Sequence, residues 1–384
     1  MPVLYLKLSF LYFTYFALLG VMAPYLGLYL DSKGFSLLEI SQLLSLLMIT
    51  KVLAPLLWGA LSDRFSNNVF LVRFGTLMTL VCYSGFFFAS TFQAYALVIV
   101  LFSFFWNAVL PQIEVVTLFN LGSKKELYGR IRLWGSVGFI FSVMGFGIVF
   151  DIWGIAYFPI SLLCVIALIF VSSLVHFEEP KRTQSHDEAS HGFMVYLKRR
   201  DIQQFFIVCF LLQVSHGAYY TYFSIYMESL GYSTAQVGAL WSLGVIAEVL
   251  LFIYMHRWFA MHSIRLIMAI SLILTAFRWV VTGLLAEYWM VIVIVQCIHA
   301  FSFGAMHATA IKFVHQRFKL RHQGRAQALY SSLGFGAGGA AGAYFSGVVV
   351  SEYGYYWTFI ISGLVALAAV FFVYSLRFKT SHFS

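Results

Sequence analysis

Polar punctuation divides this chain into twelve continuous apolar stretches, at about 8–30, 38–60, 69–90, 94–120, 130–150, 154–176, 203–227, 234–256, 264–285, 288–314, 326–350 and 354–376. A hydrocarbon core of about 30 Å takes about 20 helical residues to cross, and each stretch has about that length. Backbone amides facing lipid find no water, so a crossing segment must satisfy them internally as a helix or inside a closed barrel. Barrel strands alternate apolar and polar residues. Here the stretches do not alternate. The chain is 61% hydrophobic and only 10% charged, whereas a soluble domain carries about 25% charged residues. The expected fold is therefore an all-α membrane protein with twelve transmembrane helices. The first stretch is too long for a signal-peptide core and no small-residue cleavage site follows it, so it is read as a retained span.

The net charge of +9 does not indicate nucleic acid, because the basic residues sit between the apolar stretches. With the N-terminus placed in the cytoplasm, 21 of the 24 basic residues fall in inner loops and ends. Only Lys33 falls outside, and Lys51 and Arg278 lie within spans. That bias follows the positive-inside rule and predicts both termini in the cytoplasm. The hydrophilic segment 177–200, rich in charge, reads as a cytoplasmic linker between a six-helix bundle at 1–176 and a second at 201–384. The four cysteines (Cys82, Cys164, Cys209 and Cys297) all lie in apolar stretches without a Cys-x-x-Cys pair, and read as buried thiols without disulfide or metal roles.

The halves repeat. Tyr29-Leu30-Asp31-Ser32-Lys33-Gly34-Phe35-Ser36 aligns with Tyr226-Met227-Glu228-Ser229-Leu230-Gly231-Tyr232-Ser233 at an offset of 197, and Gly129-Arg130 aligns with Gly324-Arg325 at an offset of 195. Two matches at nearly one offset, in matching topological places, predict duplicated halves. Parallel repeats of this kind place the substrate site between them.

Ionisable groups inside a span cost roughly 2.5–3.5 kcal/mol on insertion scales and tend to face a cavity. Lys51, Glu248 and Arg278 lie about 13–14 residues into their spans, or about 20 Å deep at about 1.5 Å per residue. Glu248 and Arg278, on consecutive antiparallel spans, can pair, either as a purely structural salt bridge or on a proton or substrate path. Lys51 and Glu248 are 197 residues apart and so occupy equivalent places in the two halves. Glu114 lies toward the cytoplasmic end of the fourth span with Asn107 and Gln112 nearby. It precedes Arg130 by 16 residues and Arg132 by 18, so it can meet either arginine across the loop between two antiparallel helices. Gln213, His216 and Tyr220 share one helical face of the seventh span, as do Gln296, His299 and Phe303 of the tenth, with His307 a turn further. A polar stripe on an apolar span is expected to turn inward. Hydrogen-bonded packing is the plainer reading of each histidine. Glycines in the fifth and eleventh spans allow close helix approach. There is no nucleotide-binding or hydrolase motif. The chain therefore reads as a non-enzyme without cofactors, coupled to ions or protons rather than ATP.

Gly59-Ala60-Leu61-Ser62-Asp63-Arg64 resembles the start of the major facilitator signature, Gly-x-x-x-Asp-Arg-x-Gly-Arg-Arg. Phe65-Ser66-Asn67-Asn68 stands where its second part would be. The resemblance implies two six-helix bundles and a cytoplasmic gating role for Asp63 and Arg64, which Arg130 can share. Tyr128-Gly129-Arg130-Ile131-Arg132-Leu133-Trp134-Gly135-Ser136, Leu212-Gln213-Val214-Ser215-His216-Gly217-Ala218-Tyr219-Tyr220, residues 240–249, Arg278-Trp279 and Gln296-Cys297-Ile298-His299 resemble the bacterial phenylpropionic acid transporter family. That likeness implies proton-linked carriage of an aromatic acid by a monomer. A more distant likeness to the lactose permease type of proton symporter rests on the spacing from Glu114 to Arg132 and on His299. The permease pattern has a lysine three residues before this histidine and a glutamate three after. Here those places hold Gln296 and Ser302, so the proton relay is not preserved and Glu248 becomes the substitute carrier, with Glu114 second.

The expected activity is proton-coupled import of a small organic solute by alternating access in a bacterial inner membrane. Arg278 or Lys51 would hold a carboxylate, and Trp241, Trp279, Tyr219 and Tyr220 would flank an aromatic ring. A sugar or nucleoside symporter, an exporter of amphipathic compounds and a non-transporting membrane sensor or scaffold are the alternatives.

Overall fold

A computed structural model describes residues 2–65, 67–179 and 190–375. Among these residues all regular structure is helical. The first part holds α1 (Pro2–Ser32), α2 (Leu37–Phe65), α3 (Asn68–Tyr83), α4 (Phe92–Leu121), α5 (Tyr128–Trp153) and α6 (Phe158–Ser173). A short helix α7 (Ser190–Leu197) precedes α8 (Arg200–Ser215) and α9 (Gly217–Ser229). Then follow α10 (Thr234–Met261), α11 (Ile264–Leu285), α12 (Trp289–Cys297), α13 (Met306–Arg317), α14 (Leu320–Ser331) and α15 (Gly339–Ser375).

Among the described residues ten helical stretches are long and apolar enough to cross a membrane. Two local features separate that number from the twelve spans expected. The last stretch, Leu320–Tyr374, is 55 residues long and breaks at Gly354, where φ is 78°, so it contains the eleventh and twelfth spans. The seventh span is interrupted at His216, leaving α8 with 16 residues and α9 with 13. Neither piece crosses alone. The backbone at His216 stays in the right-handed helical region, with φ −80° and ψ −9°.

The thiols need one correction. Cys209 is buried and Cys82 partly so, but Cys164 and Cys297 are exposed. In α6 and α12, outward-facing positions meet lipid, where a thiol is as acceptable as in a core.

The chain divides into two compact units, one of residues 1–183 with 219–245 and the other of residues 184–218 with 246–384. In the first unit α1 packs along α5 and α6, while α4 packs on α2 and α3. Helices in lipid gain little hydrophobic force from one another, so close packing and interhelical hydrogen bonds hold them. A Cβ at Gly20 would stand 2.6 Å from the Phe139 carbonyl, which is why α1 and α5 meet at glycine. Thr14 and Ser172 share a hydrogen bond at 3.0 Å, and Asn68 donates to Gln112 at 2.6 Å. Tyr222 donates to the Leu37 carbonyl at 2.6 Å and Thr234 to the Gly147 carbonyl at 3.0 Å. In the second unit α8 and α11 pack on α15, over a buried core in which Phe205 stacks on Phe313 at 4.1 Å.

The sequence repeat becomes a structural one. Gly34 and Gly231 take φ of 83° and 88°, a left-handed conformation that glycine alone adopts readily. The amide of Phe35 bonds back to Leu30, and that of Tyr232 to Met227. Each turn then opens a helix with a capping box. Ser36 and Glu39 bond reciprocally at 2.9 and 3.3 Å, and Ser233 and Gln236 do so at the same two distances.

Candidate functional site

Each unit contains its own buried polar cluster. In the second, Arg278 of α11 is fully buried. Its Nη1 bonds His299 Nδ1 at 3.0 Å and donates to Ser302 Oγ at 3.0 Å, while Nη2 donates to Gln296 Oε1 at 2.8 Å. The guanidinium also lies 4.4 Å from the Trp279 ring, a cation–π contact. His299 Nε2 stands 3.8 Å from Glu248 Oε2. The imidazole therefore stands beside both the carboxylate and the buried arginine.

The backbone of the tenth span makes this possible. After α12, residues Ala300–Ala305 are π-helical before α13 begins. A π-turn admits an extra residue and shifts helical register, and such turns are frequent at functional sites. Ser302 and Gly304 belong to it. A Cβ at Gly304 would stand 2.8 Å from Glu248 Cγ, so the glycine makes room for the carboxylate. Gly304→Ala is expected to displace Glu248 at a cost typical of overpacking, about 1–3 kcal/mol. The solute uptake expected from the sequence should fall more than about five-fold while the purified protein keeps its helix content. Unchanged uptake in proteoliposomes would rule out a need for this close fit.

The bonding pattern restricts where a proton can go. Because Arg278 is only a donor, His299 Nδ1 accepts, and a neutral ring then carries its proton on Nε2, toward Glu248. Protonating Nδ1 as well would set two donors and two positive charges against each other. With Arg278 in place, Glu248 rather than His299 is the member of this cluster suited to take up a proton. The 3.8 Å gap exceeds hydrogen-bond reach, and an approach of about 1 Å would close it.

The same helices carry an aromatic column. His299 and Phe303 are stacked at 5.4 Å, Phe303 and His307 at 6.2 Å, and His307 Nδ1 bonds Tyr330 Oη at 3.0 Å. Phe335, in a second π-helical segment at Ser332–Gly338, packs on Phe303 at 5.6 Å. His216 meets Trp279 edge to face at 5.0 Å, and Trp279 Nε1 donates to Ser215 at 3.4 Å. Gln213 is buried against Gly338 of the second π segment.

In the first unit Tyr128 Oη donates to Glu114 Oε1 at 3.3 Å. Arg132 lies 4.0 Å from the Phe16 ring centroid and 5.8 Å from that of Tyr12. Among the described residues no carboxylate lies within ion-pair distance of Arg132. Tyr12 meets Tyr128 edge to face at 6.5 Å, and Tyr15 stacks on Trp106 at 5.6 Å. The Trp106 indole N–H is buried and has no hydrogen-bond partner among the described residues. A cation, a carboxylate and a free donor thus converge on aromatic walls.

The other expected residues sit elsewhere. Asn107 donates to Thr50 at 2.9 Å, tying α4 to α2. Lys51 is half-buried on α2. Tyr220 and Trp241 join a cluster with Tyr219, whose ring lies 4.5 Å from that of Trp241. Arg130 is exposed. The side chains of Asp63 and Arg64 lie outside the described residues, as do residues 180–189 of the linker. No group able to hold a metal ion occurs among the described residues. The sequence reading assigned no role to Tyr12, Tyr15, Phe16, Trp106 or Ser302. For Tyr12, Tyr15 and Phe16 the one signal was an i, i+3, i+4 aromatic spacing on the first span, which ordinary packing shares; Trp106 and Ser302 carried none.

The comparisons with known proteins agree with this architecture. The model of the MFS_1 like family matches residues 5–361. A probable 3-phenylpropionic acid transporter of Escherichia coli is 29% identical over 368 residues, covering 94% of each chain. The maltose permease of Geobacillus stearothermophilus is 23% identical over 85% of this chain and 83% of its own. A crystal structure of a point mutant of the nucleoside transporter NupG superposes with a TM-score of 0.87 at 20% identity, covering 98% of this chain and 100% of that one. A match over nearly the whole sequence makes this chain a member of the MFS_1 like family, a membrane transporter of the major facilitator fold and not an enzyme.

Proposed function

We propose that this protein is a proton-coupled importer of a small aromatic carboxylate of the phenylpropionate class. Arg132 carries the proposal: a guanidinium set on aromatic rings, with no carboxylate partner among the described residues. A planar fork suits a carboxylate, and Phe16, Tyr12 and Tyr128 suit an aryl ring. The E. coli relative's name points to the same class. Arg278 is the weaker carboxylate holder, because both of its Nη groups already bond His299, Ser302 and Gln296. Lys51 remains a second cation for the path. Glu248 is the proton carrier, with Glu114 second, and Trp241, Trp279, Tyr220, Gln213, His216, Gln296 and His299 line or support the path.

In this reading the halves 1–176 and 201–384, joined by the linker, alternate access to a midplane site. Asp63, Arg64 and Arg130 act at the cytoplasmic gate. Both termini face the cytoplasm of a bacterial inner membrane, and the monomer is the working unit. A neutral sugar is the second reading, favoured by Glu114, by the Trp106 donor stacked on Tyr15 and by the maltose permease relative.

Solute-driven pH change in proteoliposomes separates the two. Phenylpropionate is expected to drive proton entry, and neutral sugars and nucleosides are expected not to. A preference for neutral sugar that is lost in Glu114→Ala and Arg132→Ala would overturn the aromatic-acid reading. Absence of flux with any solute would leave a sensor or scaffold.

A further inference from the structure

We propose that α7 and the turn between α13 and α14 form a docking surface for anionic phospholipid headgroups. The α13–α14 turn, residues 317–320, joins two spans and so lies at the membrane boundary. Helix α7 packs on that turn with one face. Phe193 and Tyr196 lie 5.9 and 5.0 Å from Phe318, and 6.0 and 5.4 Å from His322. The opposite face is left open, with Met194 at 59% and Val195 at 65% exposure. Leu320 in the turn is 85% exposed. Large apolar side chains this exposed, at headgroup depth, are matched by acyl chains.

The rim selects the headgroup. Lys198 and Arg200 follow α7, and Lys319, Arg321 and Arg325 surround Leu320; all five are exposed. None has a carboxylate within ion-pair distance among the described residues. The nearby acid Asp201 is already held by Arg199 at 2.7 Å, with Arg317 at 3.8 Å. An amphipathic helix with apolar residues flanked by Lys and Arg lies in the plane of an anionic interface. Each basic residue there is attracted by about 1 kcal/mol, or about five-fold in affinity. Only the leaflet involved rests on the proposed cytoplasmic orientation. The lipid preference itself does not.

The test uses the full-length protein in nanodiscs mixing phosphatidylglycerol with phosphatidylcholine, with retained lipids counted by native mass spectrometry. The wild type is expected to retain phosphatidylglycerol preferentially. The quadruple variant Lys198→Gln, Arg200→Gln, Lys319→Gln, Arg321→Gln should lose that preference, by about five-fold per charge removed. The triple variant Met194→Ser, Val195→Ser, Leu320→Ser should retain less of both lipids at an unchanged ratio, which an intact fold would show in its helix content. Equal retention of the two lipids by the wild type, or an undiminished preference in the quadruple variant, overturns the proposal. Should labelling of a cysteine placed at Lys198 reveal the opposite orientation, the surface would meet the outer leaflet with its preference intact.

Discussion

Glu248→Gln is expected to abolish accumulation of solute against a gradient while leaving solute exchange across the membrane in place. The amide keeps the size of a protonated carboxyl and can neither load nor release a proton. Symport of one proton with a carboxylate anion moves no net charge, so the pH gradient drives it, and each pH unit carries about 1.4 kcal/mol, worth about tenfold accumulation. The variant should therefore equilibrate its substrate to a ratio near one, while counterflow of labelled for unlabelled solute continues. Both are read in proteoliposomes with an imposed pH gradient. The expectation follows from the bonding of His299, whose Nδ1 accepts from Arg278 and whose Nε2 faces Glu248. If Glu248→Gln still accumulates substrate to the wild-type level, the proton moves elsewhere, with Glu114 the next candidate.

Arg132→Ala is expected to weaken phenylpropionate binding roughly a hundred-fold. A forked arginine–carboxylate contact makes two charge-assisted hydrogen bonds, together about 3 kcal/mol. Arg132 is half-buried and packs chiefly on the Phe16 ring, and Glu114 keeps its hydrogen bond from Tyr128 when the arginine is removed, so the fold should survive. Arg132→Lys should recover part of the affinity, since lysine keeps the charge and loses the fork. The readout is Kd by calorimetry on detergent-solubilised protein, with thermal stability measured alongside. Wild-type affinity in Arg132→Ala would move the carboxylate to another cation, Lys51 first.

Much of the candidate site could be read one residue at a time, because charge inside a span is conspicuous. Glu114, Arg132, Glu248, Arg278 and His299 stand out in any hydropathy reading. What linked them could not be read. Glu248 and Arg278 suggested a pair, and the structure sets His299 beside both, 3.8 Å from the carboxylate and 3.0 Å from the guanidinium. Gln296 and Ser302 looked like losses from a permease relay, and in space both are neutral acceptors for Arg278. Ser302 gets there through the π-turn after His299, a backbone feature with no residue signature. The aromatic walls around Arg132 were hidden for a different reason. In a membrane chain, Tyr12, Phe16 and Trp106 look the same whether they face lipid, a neighbouring helix or a ligand.

By itself the sequence determined that the chain crosses a membrane as helices, because twelve apolar stretches leave lipid-facing amides no other arrangement. It also determined the duplicated turns at Gly34 and Gly231, because a left-handed glycine followed by a capping box is a local device. Only the tertiary structure decided which buried groups meet, where the seventh span breaks at His216, and that the first compact unit takes in residues 219–245. Contacts between side chains distant in sequence depend on helix rotation and register, and an apolar helix surface leaves both unspecified until its neighbours pack against it.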